Sequence, residues 1–149
     1  MRPDPGVHAM WIDEHPLVIF DRDGTLRFEH ADEDALAAEP RERVGQLRED
    51  FSLFRSWMTK ALGRGDFLEA MGYYQLRLMP TLVELLRIRF APTKRDYYLK
   101  RAGRDLPPDV AARLAELYRL TSVEEIAARV PLAVALFEET LAALGGPAH

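Results

Sequence analysis

Apolar positions in this chain come first as short runs and then as long helical stripes. Leu17, Val18, Ile19 and Phe20 form an unbroken apolar run that ends at Asp21, Arg22, Asp23 and Gly24. A run of that length, half β-branched and closed by turn residues, predicts one buried strand. Residues 9–12 predict a second short strand after the breakers Pro3, Pro5 and Gly6. Residues 27–40 are acidic and alanine-rich, end at Pro40, and read as a connecting loop or a short helix.

From Arg41 the period changes. Val44, Leu47, Phe51, Phe54, Met58 and Ala61 recur at steps of three and four, the stripe of an amphipathic helix. Gly63, Arg64 and Gly65 stop it. Asp66 with Glu69 three residues on starts the next helix as an acidic capping box. That second helix reaches Phe90 and is apolar on more than one face, with Phe67, Met71, Tyr74, Leu78, Leu82 and Leu85 along one side and Leu76, Met79, Val83 and Leu86 along another. It belongs at the centre of a bundle, with a kink expected at Pro80. Ala91 and Pro92 end it. A basic, tyrosine-bearing segment then runs over 93–101 to a turn at Gly103. Pro107 or Pro108 opens a helix carrying Val110, Leu114 and Leu117. Ser122 with Glu125 caps a last helix striped by Val123, Ile126, Val130, Val134, Phe137, Leu141 and Leu144, with Pro131 as a kink or restart. The expected fold is mainly α: an antiparallel bundle of four or five helices behind one or two short strands. Residues 1–40 form a strand-containing lead and linker, the remnant or edge of an α/β domain, and residues 41–149 the bundle.

Composition narrows the function classes without naming one. The 149 residues suit a single core, with 48% apolar and 30% charged side chains. Twenty basic against 24 acidic residues provide no field for duplex nucleic acid or an anionic membrane, so neither is an expected partner. The absence of cysteine removes disulfides, thiolate metal sites and thiol nucleophiles, and suits the cytoplasm. The first ten residues do not read as a signal peptide. Residues 76–90 carry too many arginines to span a bilayer. His8, His15, His30 and His149 have no ligand spacing on one element, so no structural metal is expected.

The residues from Leu17 to Leu26 resemble the first motif of the haloacid-dehalogenase-like phosphatases, a strand ending in Asp-x-Asp-Gly-Thr. That resemblance implies Asp21 as nucleophile, Asp23 as general acid/base, and a magnesium ion shared by both carboxylates with a substrate phosphate. The same family takes a Ser or Thr, a Lys and a further acidic pair from later strands of a parallel sheet. No strand-like run follows Leu26 here. The competing reading makes Asp21, Asp23 and Gly24 a polar turn leaving the strand.

A second resemblance covers about residues 10–145. Phe20 to Gly24, Arg64-Gly65-Asp66, Leu76-Arg77, Leu85-Leu86-Arg87 and Lys94 to Tyr97 look like the C-terminal half of aminoglycoside and lincosamide nucleotidyltransferases. It implies a helical half that closes over nucleotide and substrate. The other half of such a protein brings Gly-Ser and an Asp-x-Asp pair whose carboxylates hold magnesium against ATP. This chain contains no Gly-Ser, and Asp21 and Asp23 fall where the family's last strand leaves the catalytic domain. The resemblance therefore implies a chain inactive alone, with no cofactor of its own. Magnesium and ATP enter with a catalytic partner, either a missing domain or a second protomer pairing with the N-terminal strand.

Candidate binding residues follow from side-chain chemistry. Lys94, Arg95, Lys100 and Arg101 with Tyr97 and Tyr98 suit phosphate and base, or else anchor a solvated loop. Tyr73, Tyr74 and Arg77 stand on one side of the second helix and suit contact with a sugar-like small molecule, or else the aromatic pair, at helical spacing, is core. Trp57 and Lys60 offer an aromatic wall and a cation, or else Trp57 packs with its indole N–H at the surface. Three classes stand at this point: a nucleotidyltransferase-like half, a phosphatase-like enzyme using Asp21 and Asp23, and a helical module that binds another protein.

Overall fold

A computed structural model describes residues 8–12, 26–30 and 33–145, with side chains from Arg41 onward. Two compact units divide the chain, Met1–Glu39 and Pro40–His149. In the first, β1 (His8–Ile12) and β2 (Leu26–His30) pair in parallel, with His8 opposite Leu26 and Ile12 opposite His30. The predicted strand at 17–20 and the turn with Asp21 and Asp23 lie outside the described residues. Residues 27–40, read as a connecting loop or a short helix, supply a strand and then helix. Leu26 and Phe28 alternate with polar neighbours, as a strand requires, and helix α1 (Glu33–Arg64) begins well before Arg41. Ala35, Leu36, Ala37 and Ala38 are strong helix formers, and the helix continues through Pro40.

The rest of α1 follows its stripe: Leu47, Phe51, Met58 and Ala61 are buried. Gly65 ends it with φ of +69°, a left-handed conformation that glycine adopts freely, and its N–H donates to the Leu62 carbonyl at 3.1 Å. Asp66 then caps α2 (Phe67–Tyr73), its carboxylate accepting the Glu69 N–H at 3.1 Å.

Between α2 and α3 (Met79–Phe90) the chain makes one wide π-turn, Tyr74–Leu78. Pro80 explains it. Proline has no N–H for the carbonyl four residues back, and its ring collides with that carbonyl in a regular α-helix. Widening the preceding turn makes room: the Met79 N–H reaches back to the Tyr74 carbonyl, and the Thr81 hydroxyl donates to the Arg77 carbonyl at 2.8 Å. The expected break therefore falls upstream of Pro80. Its consequence is a shift of faces, because Leu76, assigned to the core by periodicity, is 73% exposed.

Helix α3 is buried on nearly every side, through Met79, Leu82, Val83, Leu85 and Leu86, as a central helix must be. It packs on α6 (Val123–Ala143), whose Ala133, Leu136 and Phe137 are buried. Phe51 of α1 stacks on Phe137 with ring centroids 3.8 Å apart and planes 6° from parallel. Pro131 does not restart α6; it lies on the exposed side, where water can serve the Ala127 carbonyl that proline cannot.

At Gly103 the expected turn is replaced by a short helix α4 (Ala102–Asp105), held by the buried Ala102 and Leu106 and by two N–H bonds to the Arg101 carbonyl. Helix α5 (Pro108–Leu117) buries Val110, Leu114 and Leu117, and Ser122 caps α6 by accepting the Glu125 N–H at 3.1 Å. The described residues beyond β2 form a helical bundle, and none of their helices is long and apolar enough to cross a membrane.

Candidate functional site

Arg87 organises the most chemically dense part of the bundle. It occupies the last turn of α3, where the helix dipole favours a cation, and its side chain is wholly buried. A buried guanidinium is tolerated only when its donors are used. Here Nε donates to the Tyr98 carbonyl at 2.7 Å, Nη2 to the Lys100 carbonyl at 2.5 Å, and Nη1 to the Asp105 carboxylate at 3.2 Å. The other carboxylate oxygen of Asp105 lies 3.6 Å from Lys94 Nζ. Burial pushes the Asp105 carboxyl up, but Arg87 and Lys94 together outweigh it and hold the group below the usual carboxylate range.

The backbone around this cation is strained. Tyr98 has φ of +50° and Arg101 φ of +60°, left-handed values that cost a non-glycine residue about 1 kcal/mol or more each. They bracket the stretch whose carbonyls meet Arg87, so the inner side of the loop is committed to the guanidinium. Its side chains are left outward: Tyr97, Tyr98 and Leu99 are each more than a third exposed. Lys100 Nζ sits 5.4 Å and Arg87 Cζ 5.9 Å from the centroid of the Tyr97 ring, both within cation–π range. The Tyr98 and Tyr118 hydroxyls share a hydrogen bond of 2.8 Å, which ties the loop to the end of α5. Burial, reinforced by that bond, pushes the Tyr118 hydroxyl above its ordinary value.

Charge is concentrated here. Residues 87–105 hold seven Lys and Arg against Asp96 and Asp105, a surplus of five positive charges in a chain whose net charge is −4. Two of these cations are turned inward, Arg87 wholly buried and Lys94 beside Asp105, and Lys100, Arg101 and Arg104 are exposed.

The sequence-predicted residues separate into two groups. Lys94 and Tyr97 belong to the Arg87 loop. Trp57 and Tyr73 pack together at the junction of α1 and α2, ring centroids 5.7 Å apart, with Phe54 5.5 Å from Trp57. Lys60 is exposed on α1, and Arg77 is exposed on the π-turn. Arg77 and Arg87 stand at opposite ends of one helical stretch, about 15 Å apart at 1.5 Å per residue, so the two groups do not line one pocket. Of Tyr73, Tyr74 and Arg77, Tyr74 takes the core reading: it is buried, donating its hydroxyl to the Leu117 carbonyl at 2.7 Å, while Arg77 faces solvent. Asp21 and Asp23 lie outside the described residues.

Arg87 itself is the residue that side-chain chemistry passed over. Two arginines of α3 stand in apolar company, Arg87 between Leu86 and Ile88 and Arg89 between Ile88 and Phe90, a pattern that does not tell which one is buried; the structure buries Arg87 and exposes Arg89. Asp105, the partner of Arg87, carried no such signal. The cleft between α5 and α6, lined by Arg113, Leu117, Leu132 and Leu136, encloses about 170 Å³, less than a ligand site usually offers. Among the described residues no three His, Asp or Glu side chains come together to hold a metal ion. No protein-family model, curated protein or solved structure matches the chain.

Proposed function

We propose that the antiparallel helical unit is the nucleotide-side half of a nucleotidyltransferase-like protein, binding a phosphate-bearing small molecule while a partner supplies catalysis. The observation that carries this reading is the pre-shaped basic loop on Arg87, with the exposed Tyr97 ring beside Lys100. Cations beside a partly exposed aromatic ring suit a ligand that joins phosphate to a planar base. Among the described residues no three carboxylate or histidine side chains gather. In this reading magnesium arrives with ATP at a partner, a missing catalytic domain or second protomer that brings its own Asp-x-Asp. A reducing cytoplasm suits a chain free of cysteine.

Isothermal titration of the purified chain with magnesium-ATP, an aminoglycoside and a lincosamide tests the proposal. ATP binding in the micromolar to low-millimolar range supports it. Silence toward all three, together with a stable dimer in solution, removes it in favour of a helical protein-interaction module.

A further inference from the structure

We infer that the outward side of the loop at Tyr97, Lys100 and Arg101 is a site for the polyphosphate of a small ligand, shaped from within by Arg87. The inference rests on the nucleotide-side reading above and goes further by naming the residues and the part of the ligand they hold.

Four observations converge. First, Arg87 and Lys94 are committed elsewhere, to the Tyr98 and Lys100 carbonyls and to Asp105, so they shape the loop rather than meet a ligand. Second, those two carbonyls are turned inward, which removes the acceptor oxygens that would repel an anion on the outside. Third, Lys100 and Arg101 form no ion pair among the described residues, and Lys100 rests near the Tyr97 ring, so two cations stand ready without a carboxylate to displace. Fourth, the left-handed backbone at Tyr98 and Arg101 is strain that the Arg87 contacts keep in place, and strain of this kind gathers where a ligand is held.

The size of the patch selects the ligand. Two free cations and one exposed ring match a compact anion of several charges, whereas single-stranded nucleic acid needs a groove that follows several nucleotides. Beyond about 8 Å the loop's own field is screened at physiological salt, so the acidic remainder of the chain gives a long polyanion no further hold. Asp96 is the loop's outlying carboxylate and opposes any anion bound here.

The test uses the full chain and titrates ATP and inorganic triphosphate separately, with Lys100→Ala/Arg101→Ala as the variant. Both residues are exposed, and circular dichroism checks that the helices persist. The expected result is binding of both ligands by the unaltered chain, roughly tenfold or more weaker in the double variant, and a few-fold tighter in Asp96→Asn. Displacement of ATP by triphosphate supports the site as well. Unchanged ATP affinity in the double variant overturns the inference and leaves the nucleotide reading standing, with the nucleotide elsewhere. Displacement of ATP by adenosine but not by triphosphate overturns it too. So does a ten-nucleotide single strand that binds more tightly than ATP and is lost in the same variant. Triphosphate bound without ATP upholds the site and removes the nucleotide reading; silence to both removes the two together.

Discussion

Arg87→Met is the most informative single change, because methionine keeps much of the apolar stem and deletes every donor. In the folded chain the Tyr98 and Lys100 carbonyls, bonded at 2.7 and 2.5 Å, would each lose their partner. A buried acceptor left without a donor costs about 1–3 kcal/mol, so the two carbonyls predict a loss of about 2–6 kcal/mol, and the Asp105 carboxylate, left with Lys94 alone, adds to it. Against a typical domain stability of about 5–15 kcal/mol this is a strong destabilisation. Urea unfolding followed by far-ultraviolet circular dichroism measures the loss. Amide hydrogen exchange locates it: protection at Tyr97, Lys100 and Ala102, whose N–H groups close the loop's turns, should collapse while Leu82 to Leu86 keep theirs. Arg87→Lys should recover only part of the loss, since an ammonium cannot reach three acceptors in the fork geometry of a guanidinium. A cost under about 1 kcal/mol with unchanged loop exchange would refute the reasoning, because water would then be serving those carbonyls as well as Arg87 does.

Three further outcomes follow from other contacts. Tyr74→Phe strips the donor from the Leu117 carbonyl at the end of α5 and should cost about 1–2 kcal/mol at neutral pH, read as a lower urea midpoint with unchanged slope. Burial raises the Tyr74 and Tyr118 hydroxyls above the ordinary value of 10.0, so their contribution is complete below pH 10 and is lost as pH rises beyond it. Stability should therefore fall above that pH by up to about 1.4 kcal/mol per unit for each tyrosine, and the fall should be shallower in Tyr74→Phe. Ser122→Ala removes the cap of α6 and should cost about 1 kcal/mol in thermal or urea unfolding, with no change in ligand affinity.

Much of the helical architecture was legible along the chain, because a helix start is a local event. Asp66 and Ser122 cap the helices they were expected to cap, each using its own side chain on the N–H three residues later. The stripe of Leu47, Phe51, Met58 and Ala61 and the central position of α3 likewise follow from periodicity, which needs only the sequence and the 3.6-residue turn. Leu76 escaped that logic. The π-turn ahead of Pro80 adds a residue to one turn and rotates the face, so a position apolar by pattern ends in solvent.

What only the tertiary structure decided is which polar groups meet. Arg87 and Arg89 both have apolar neighbours on α3 and only Arg87 is buried, because its acceptors are two carbonyls and a carboxylate 11 to 18 residues further on, reached through a loop whose left-handed turns have no glycine to announce them. For the same reason Lys94 and Tyr97 were recognisable as a basic, aromatic segment, while their separation from Trp57, Tyr73 and Arg77 was not. Periodicity places residues on a face of one helix; the distance between two faces is set by how helices pack, and packing depends on every side chain in the core at once.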